Sequence, residues 1–244
     1  MNINKISAIT STNTYLKELL RNDQSLNELA VVAEKQTQGR GQMGTEWHSQ
    51  EGKSLTMSAL KRLEGFHVEN RFCLSMLVSI AIKNVLSFYN LPDIKIKWPN
   101  DILSANKKVC GLLLEPVLKK DQIKAIIIGV GLNLNETEMP DLPQAASIKM
   151  LTGKHIDIDT FALEIVYEIN EQFFKLNSQP YSVIKREYLN CLYRKGVLSV
   201  FKDPAGNEFN GLITGVSNSG KLQVATELGE KEFDLKEIKL LNGL

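Results

Sequence analysis

At 244 residues, 43% of them hydrophobic and 23% charged, the chain can bury one full-sized core and a small second one. Its 29 Lys and Arg against 28 Asp and Glu leave a formal charge of +1, which argues against a global field for recruiting nucleic acid or an anionic membrane, so any anionic ligand must be held locally. Cys73, Cys110 and Cys191 lie far apart without clustered histidines, which argues against a zinc site or a disulfide framework and fits a reducing cytoplasm. The opening MNINKISAIT lacks the basic start and apolar run of a signal peptide, and no window reaches the ~18 apolar residues of a membrane span.

A short first strand leads into a helix over 12–21, where Tyr15, Leu16, Leu19 and Leu20 keep helical spacing. Ser11, Thr12 and Asn13 ahead of them can cap its exposed N–H groups. Residues 30–34 read as a second strand that runs into 39–44, where three glycines in six residues allow backbone shapes closed to other residues. Extended structure resumes over 55–60. The spacing of Phe72, Met76, Leu77, Ile80, Ala81, Val85 and Phe88 predicts a long amphipathic helix over 71–89, covering one face of a sheet.

Three strands are predicted next, over 94–98, 109–117 and 123–130, the last with the β-branched run Ile126, Ile127, Ile128 of a strand buried on both faces. Helical spacing returns over 161–176 and 183–193, on either side of the Gln179-Pro180 break. From Gly196 onward only short strands remain, separated by turn signals such as Asp203-Pro204-Ala205-Gly206 and Asn218-Ser219-Gly220. The reading is an α+β chain: a mixed sheet flanked by helices over 1–192, then a small C-terminal β-barrel over 193–244.

Four stretches carry candidate chemistry. In the glycine-rich loop Gly39-Arg40-Gly41-Gln42-Met43-Gly44-Thr45-Glu46-Trp47, bare backbone N–H groups and the Arg40 guanidinium suit a phosphate. It is neither a P-loop nor a dinucleotide fingerprint, and a plain structural turn is the competing reading. Lys97-Trp98-Pro99-Asn100-Asp101 ends a strand in a turn at the sheet's edge, which reads either as a catalytic aspartate or as the turn of a hairpin. Lys107-Lys108-Val109-Cys110-Gly111-Leu112-Leu113-Leu114-Glu115 places two cations before a strand with an internal glycine, and Gly129-Val130-Gly131-Leu132-Asn133 brings alternate glycines to a strand mouth. Both suit close approach by a ligand.

Taken in order with Ser11-Thr12-Asn13, these motifs resemble the catalytic domain of the biotin–protein ligase family, over residues 5–170. The resemblance implies a class II aminoacyl-tRNA synthetase-like domain with a small SH3-like domain behind it, and an enzyme joining biotin to a lysine of a biotin carboxyl carrier domain through biotinyl-AMP. Ser11, Thr12, Asn13, Gln36, Gly39, Gly41 and Gly111 are then expected at biotin. Arg40, Gln42, Trp47, Lys108 and Asn133 are expected at ATP, with Lys108, Arg40 and Asp101 catalytic. Mg2+ is expected to accompany ATP, with no protein-held metal, and the oligomer to be a monomer or homodimer.

Two departures stand out, since the family often carries arginine where this chain has Gln42 and Thr45. With Ser-Thr-Asn already at residue 11, no helix-turn-helix module is expected ahead of it, and hence no DNA binding. Competing readings are a lipoate ligase or octanoyl transferase, and a non-catalytic sensor of biotin or biotinyl-AMP.

Overall fold

The computed structural model describes residues 1–241. A seven-stranded mixed sheet runs in the order β1 (Asn2–Ile9), β2 (Leu29–Gln36), β3 (Ser54–His67), β7 (Gln122–Asn133), β6 (Lys107–Lys119), β5 (Asp101–Ser104) and β4 (Lys95–Lys97). Only β1 and β2 pair in parallel; the remaining ladders are antiparallel. The parallel pair needs a crossover, and α1 (Thr12–Asn22) supplies it, burying Leu16 and Leu20 against Val31, Leu60, Ala125 and Ile127.

The other face is covered by α2 (Arg71–Ser87), α4 (Ile158–Leu176) and α5 (Tyr181–Asn190), with the single-turn α3 (Ile148–Thr152) between β7 and α4. The predicted amphipathic character of α2 is corrected. Cys73, Leu74, Val78, Ile82 and Leu86 are buried along with the apolar stripe as far as Val85, because α4 and α5 pack against the helix as well, whereas Phe88, expected in the stripe, lies past the helix end and is exposed. The Trp98–Asn100 segment closes a hairpin between β4 and β5, the latter a strand missing from the sequence reading.

A separate five-stranded antiparallel sheet follows, in the order β11 (Gly229–Phe233), β10 (Leu222–Thr226), β9 (Glu208–Val216), β8 (Leu198–Lys202) and β12 (Lys239–Leu240). Its buried Phe201, Ile213, Val216, Leu222 and Val224 belong to the same apolar cluster as α2 and the large sheet. It docks at the β4 end: Tyr193 N–H donates to the Ile96 carbonyl at 2.8 Å, the Trp98 indole donates to the Gly220 carbonyl at 2.8 Å, and Gly220 lies against Phe72, where a Cβ would clash.

Candidate active site

The first turn of α1, the end of β2, the loop after it, the glycines of β6 and β7, and the β4–β5 turn enclose one cavity of about 360 Å³. Its wall at the β1–β2 end is Ser11, Thr12, Asn13 and Gln36, and its far end is Asn100, Asp101 and Lys108. Among the described residues no group of three or more His, Cys, Asp or Glu is assembled for a metal.

The cap of α1 differs from expectation. The Ser11 side chain makes no capping bond; instead the Gln36 Oε1 accepts from the Thr12 N–H at 2.8 Å and from its hydroxyl at 3.2 Å. A side chain from the neighbouring strand thus satisfies the helix end and locks Thr12 to Gln36, with Ser11 beside them in the same wall. Behind them the buried Ser58 hydroxyl contacts both the Thr12 hydroxyl and Asn13 Oδ1, while Asn13 Nδ2 donates to Glu115 Oε2 at 2.8 Å. Asn13 also fills the space over Gly129, where a Cβ would sit 2.5 Å from its Oδ1.

Glu115 ties this wall to the loop. Its carboxylate accepts from Lys17 Nζ at 2.5 Å and pairs with Arg40 Nη2 at 3.3 Å. Burial pushes its pKa up, but the Lys17 and Asn13 hydrogen bonds and the Lys17 and Arg40 charges outweigh burial and hold it below the ordinary carboxylate value. Arg40 is therefore aimed across the cavity mouth by an ion pair.

The glycine-rich loop is a small hairpin. Trp47 N–H donates to the Gly39 carbonyl and Gly41 N–H to the Thr45 carbonyl, and the tip is made at Met43 and Gly44, both at positive φ. A Cβ on Gly39 would lie 2.4 Å from the Trp47 carbonyl oxygen, and one on Gly41 2.4 Å from Thr45 Oγ1. These glycines let two strands of the loop approach each other.

The hairpin lays Trp47 on the sheet. A Cβ on Gly131 would lie 2.4 Å from the indole ring, and one on Gly111 3.0 Å from it, so this cross-strand pair of glycines admits a tryptophan. Lys108 Nζ sits 5.7 Å from the centroid of that ring and 2.7 Å from Asp101 Oδ1. The Lys108–Asp101 contact is an ion pair whose angle falls short of hydrogen-bond alignment, and the buried Trp47 indole N–H has no acceptor among the described residues.

Of the residues singled out from sequence, Ser11, Thr12, Asn13, Gln36, Arg40, Gly41, Gln42, Trp47, Asp101, Lys108 and Gly111 line this one cavity. Gly39 stands outside its lining, at the base of the hairpin. Asn133 also stands outside: it is buried beside Ser54, donating to the Ala146 carbonyl at 3.3 Å. Glu115, quoted within its motif without a role, organises the wall. Leu235 and Lys236 line the cavity from the C-terminal sheet, with no local sequence signal to announce them.

The sequence profile of the Biotin/lipoate A/B protein ligase family matches residues 6–133. A bifunctional ligase/repressor BirA of Bacillus spizizenii is 30% identical over 241 residues, covering 95% of this chain and 72% of that protein. The chain belongs to the biotin–protein ligase family. A biotin–[acetyl-CoA-carboxylase] ligase of Paracoccus denitrificans is 25% identical over 85% of the chain and 88% of its own length. The biotin protein ligase of Aquifex aeolicus, solved in complex with biotin and ATP, superposes with a TM-score of 0.81 at 29% identity, covering 99% of each chain. As in this family fold, the mixed sheet with its helices and the separate C-terminal antiparallel sheet are both present.

Proposed function

We propose that this chain is an enzyme that activates biotin with ATP and transfers the biotinyl group to a lysine of a biotin carboxyl carrier domain. The observation that carries the reading is the convergence of Ser11, Gln36, Arg40, Asp101 and Lys108, from five separate segments, on one cavity. Family membership and the biotin- and ATP-bound relative support it.

Biotin lies toward the Ser11–Gln36 wall. Gln36 Oε1 is held by Thr12, which leaves the amide nitrogen of Gln36 to donate to the ureido carbonyl, and the Ser11 and Thr12 hydroxyls serve the ring polar groups. The biotin carboxylate points along the cavity toward Lys108. Its oxygen attacks the α-phosphorus of ATP, the bond to the bridging oxygen of pyrophosphate breaks, and pyrophosphate leaves with the electron pair. Lys108 stabilises the charge that gathers on the phosphoryl oxygens, and Arg40 holds the same phosphate in biotinyl-AMP.

In the second half the carrier lysine, as free amine, attacks the acyl carbon of the mixed anhydride. The amide forms, AMP departs, and the amine proton passes toward Asp101 at the cavity edge. The hairpin 39–47 shields the anhydride from water meanwhile. Magnesium belongs here with the nucleotide, since the carboxylates lining the cavity are Asp101, paired with Lys108, and Glu46, which together make no protein cage.

The direct test is incubation with biotin, ATP and a biotin carboxyl carrier domain, followed by intact mass analysis of the carrier. A mass gain of one biotinyl group on the carrier lysine, dependent on ATP, supports the reading. An unmodified carrier with biotin and a modified one with lipoate contradicts it.

A further inference from the structure

Three cations line the cavity, and two have partners: Arg40 pairs with Glu115 and Lys108 with Asp101. Lys236 is the third, and among the described residues it takes part in no ion pair. It comes from the turn between β11 and β12, on the C-terminal sheet, about 100 residues beyond the last of the sequence motifs. Its backbone lies at φ +74°, in the left-handed region where a side chain is disfavoured and glycine is at ease. A lysine is thus held in a conformation better suited to glycine, at a residue that lines the cavity.

The docking of the C-terminal sheet brings this turn to the cavity. The Trp98–Gly220 hydrogen bond, the Gly220 backbone seated on Phe72 and the shared apolar cluster fix the C-terminal sheet at the β4 end of the large sheet. Lys236 therefore reaches the cavity from the side of Asn100 and Asp101, opposite the Ser11–Gln36 wall. The surroundings at that end are mixed in charge, with Lys97 and Lys108 beside Asp101, and with Asp234 and Glu237 flanking Lys236 in the chain. Burial, together with the Lys108 and Lys239 charges, holds the half-buried Lys97 below the ordinary lysine value against the pull of Asp101. The loop 39–47, by contrast, contains a single cation, Arg40.

We propose that Lys236 is a nucleotide-binding residue of the C-terminal sheet, pairing with the polyphosphate of ATP and with departing pyrophosphate at the end of the cavity away from biotin. The inference rests on the proposed reaction for its ligand, and on the cavity for its site. An acidic surface of the carrier is the other anion such a lysine could meet, and the test separates the two.

Lys236→Gly removes the cation and relieves the backbone, while Lys236→Arg keeps the charge. Four readouts are compared with the unaltered chain: calorimetric binding of inorganic pyrophosphate, the KM for ATP in biotin-dependent exchange, calorimetric binding of biotin, and thermal unfolding. In Lys236→Gly, pyrophosphate binding should weaken and the KM for ATP rise by about tenfold, the scale of one charge-assisted contact, with biotin binding unchanged and the melting temperature no lower. Lys236→Arg should stay near the unaltered chain. Unchanged pyrophosphate and ATP parameters in Lys236→Gly overturn the proposal, as does a rise confined to the KM for the carrier. Lys236-dependent pyrophosphate binding without any biotin-dependent exchange would uphold the anion site and refute the reaction assigned above.

Discussion

Lys108 Nζ lies 2.7 Å from Asp101 Oδ1 and 5.7 Å from the ring centroid of Trp47, held between a carboxylate and an aromatic face. A cation fixed this way adds little to binding a neutral ring and most to an anion that forms beside it. Lys108→Ala should lower the rate of adenylation by about 10²–10³-fold, the usual cost of one preorganised group that stabilises transition-state charge, with biotin affinity much less affected. Single-turnover adenylation set beside calorimetric biotin binding checks this; equal losses in both would contradict the role.

Gly131 owes its identity to Trp47. A methyl group there meets the indole at 2.4 Å and must displace it. Gly131→Ala should leave the fold intact, shift the emission of Trp47 toward longer wavelength and slow adenylation by at least about tenfold, in line with the sensitivity of catalysis to small misplacements. The chain has two tryptophans, so the spectrum is read in a Trp98→Phe background.

Glu115 makes stability depend on pH. Its carboxyl titrates below the ordinary value of 4.5 because Lys17, Asn13 and Arg40 favour the charged form more than burial opposes it. The folded chain therefore binds fewer protons than the unfolded one in this range. The Glu115 contribution is fully present above about pH 5 to 6 and is lost as pH falls through the folded pKa. Glu115→Gln should cost about 1–2 kcal/mol at pH 7, a modest figure because Lys17 and Arg40 are half exposed. The gap should close on acidification. Urea midpoints from pH 7 to 3 measure it, and a gap that widens toward acid would contradict the ion-pair account.

Gln42 lines the cavity in the loop hairpin, at a position where the sequence comparison expects arginine. On the proposed reaction, a neutral side chain there should hold biotinyl-AMP less firmly than a cation would. Gln42→Arg should slow release of the intermediate by about tenfold, the scale of one added charge-assisted bond. A stopped-flow chase of preformed biotinyl-AMP reads the rate, and an unchanged rate would count against it.

The long elements were legible because their periodicities are strong: Leu16 and Leu20 mark α1, and Ile126 to Ile128 mark β7. The short ones were not. β5 has four residues and α3 a single turn, too few to establish a period, and the polar second face of α2 was assumed where α4 and α5 in fact bury it. At the site, residue types within a motif were readable, but their partners were not. Nothing local says that Gln36 caps α1, that Trp47 rather than a ligand rests on Gly111 and Gly131, or that Lys236 returns to the cavity from another sheet. Each of those depends on contacts between distant segments, which only the assembled fold brings together.

Biotin-dependent exchange of labelled pyrophosphate into ATP, with lipoate as the parallel substrate, tests the central claim most directly because it reads reversible adenylation without needing the carrier. The account requires exchange with biotin and none with lipoate. Exchange with lipoate alone, or with neither acid in protein shown to be folded, would contradict it.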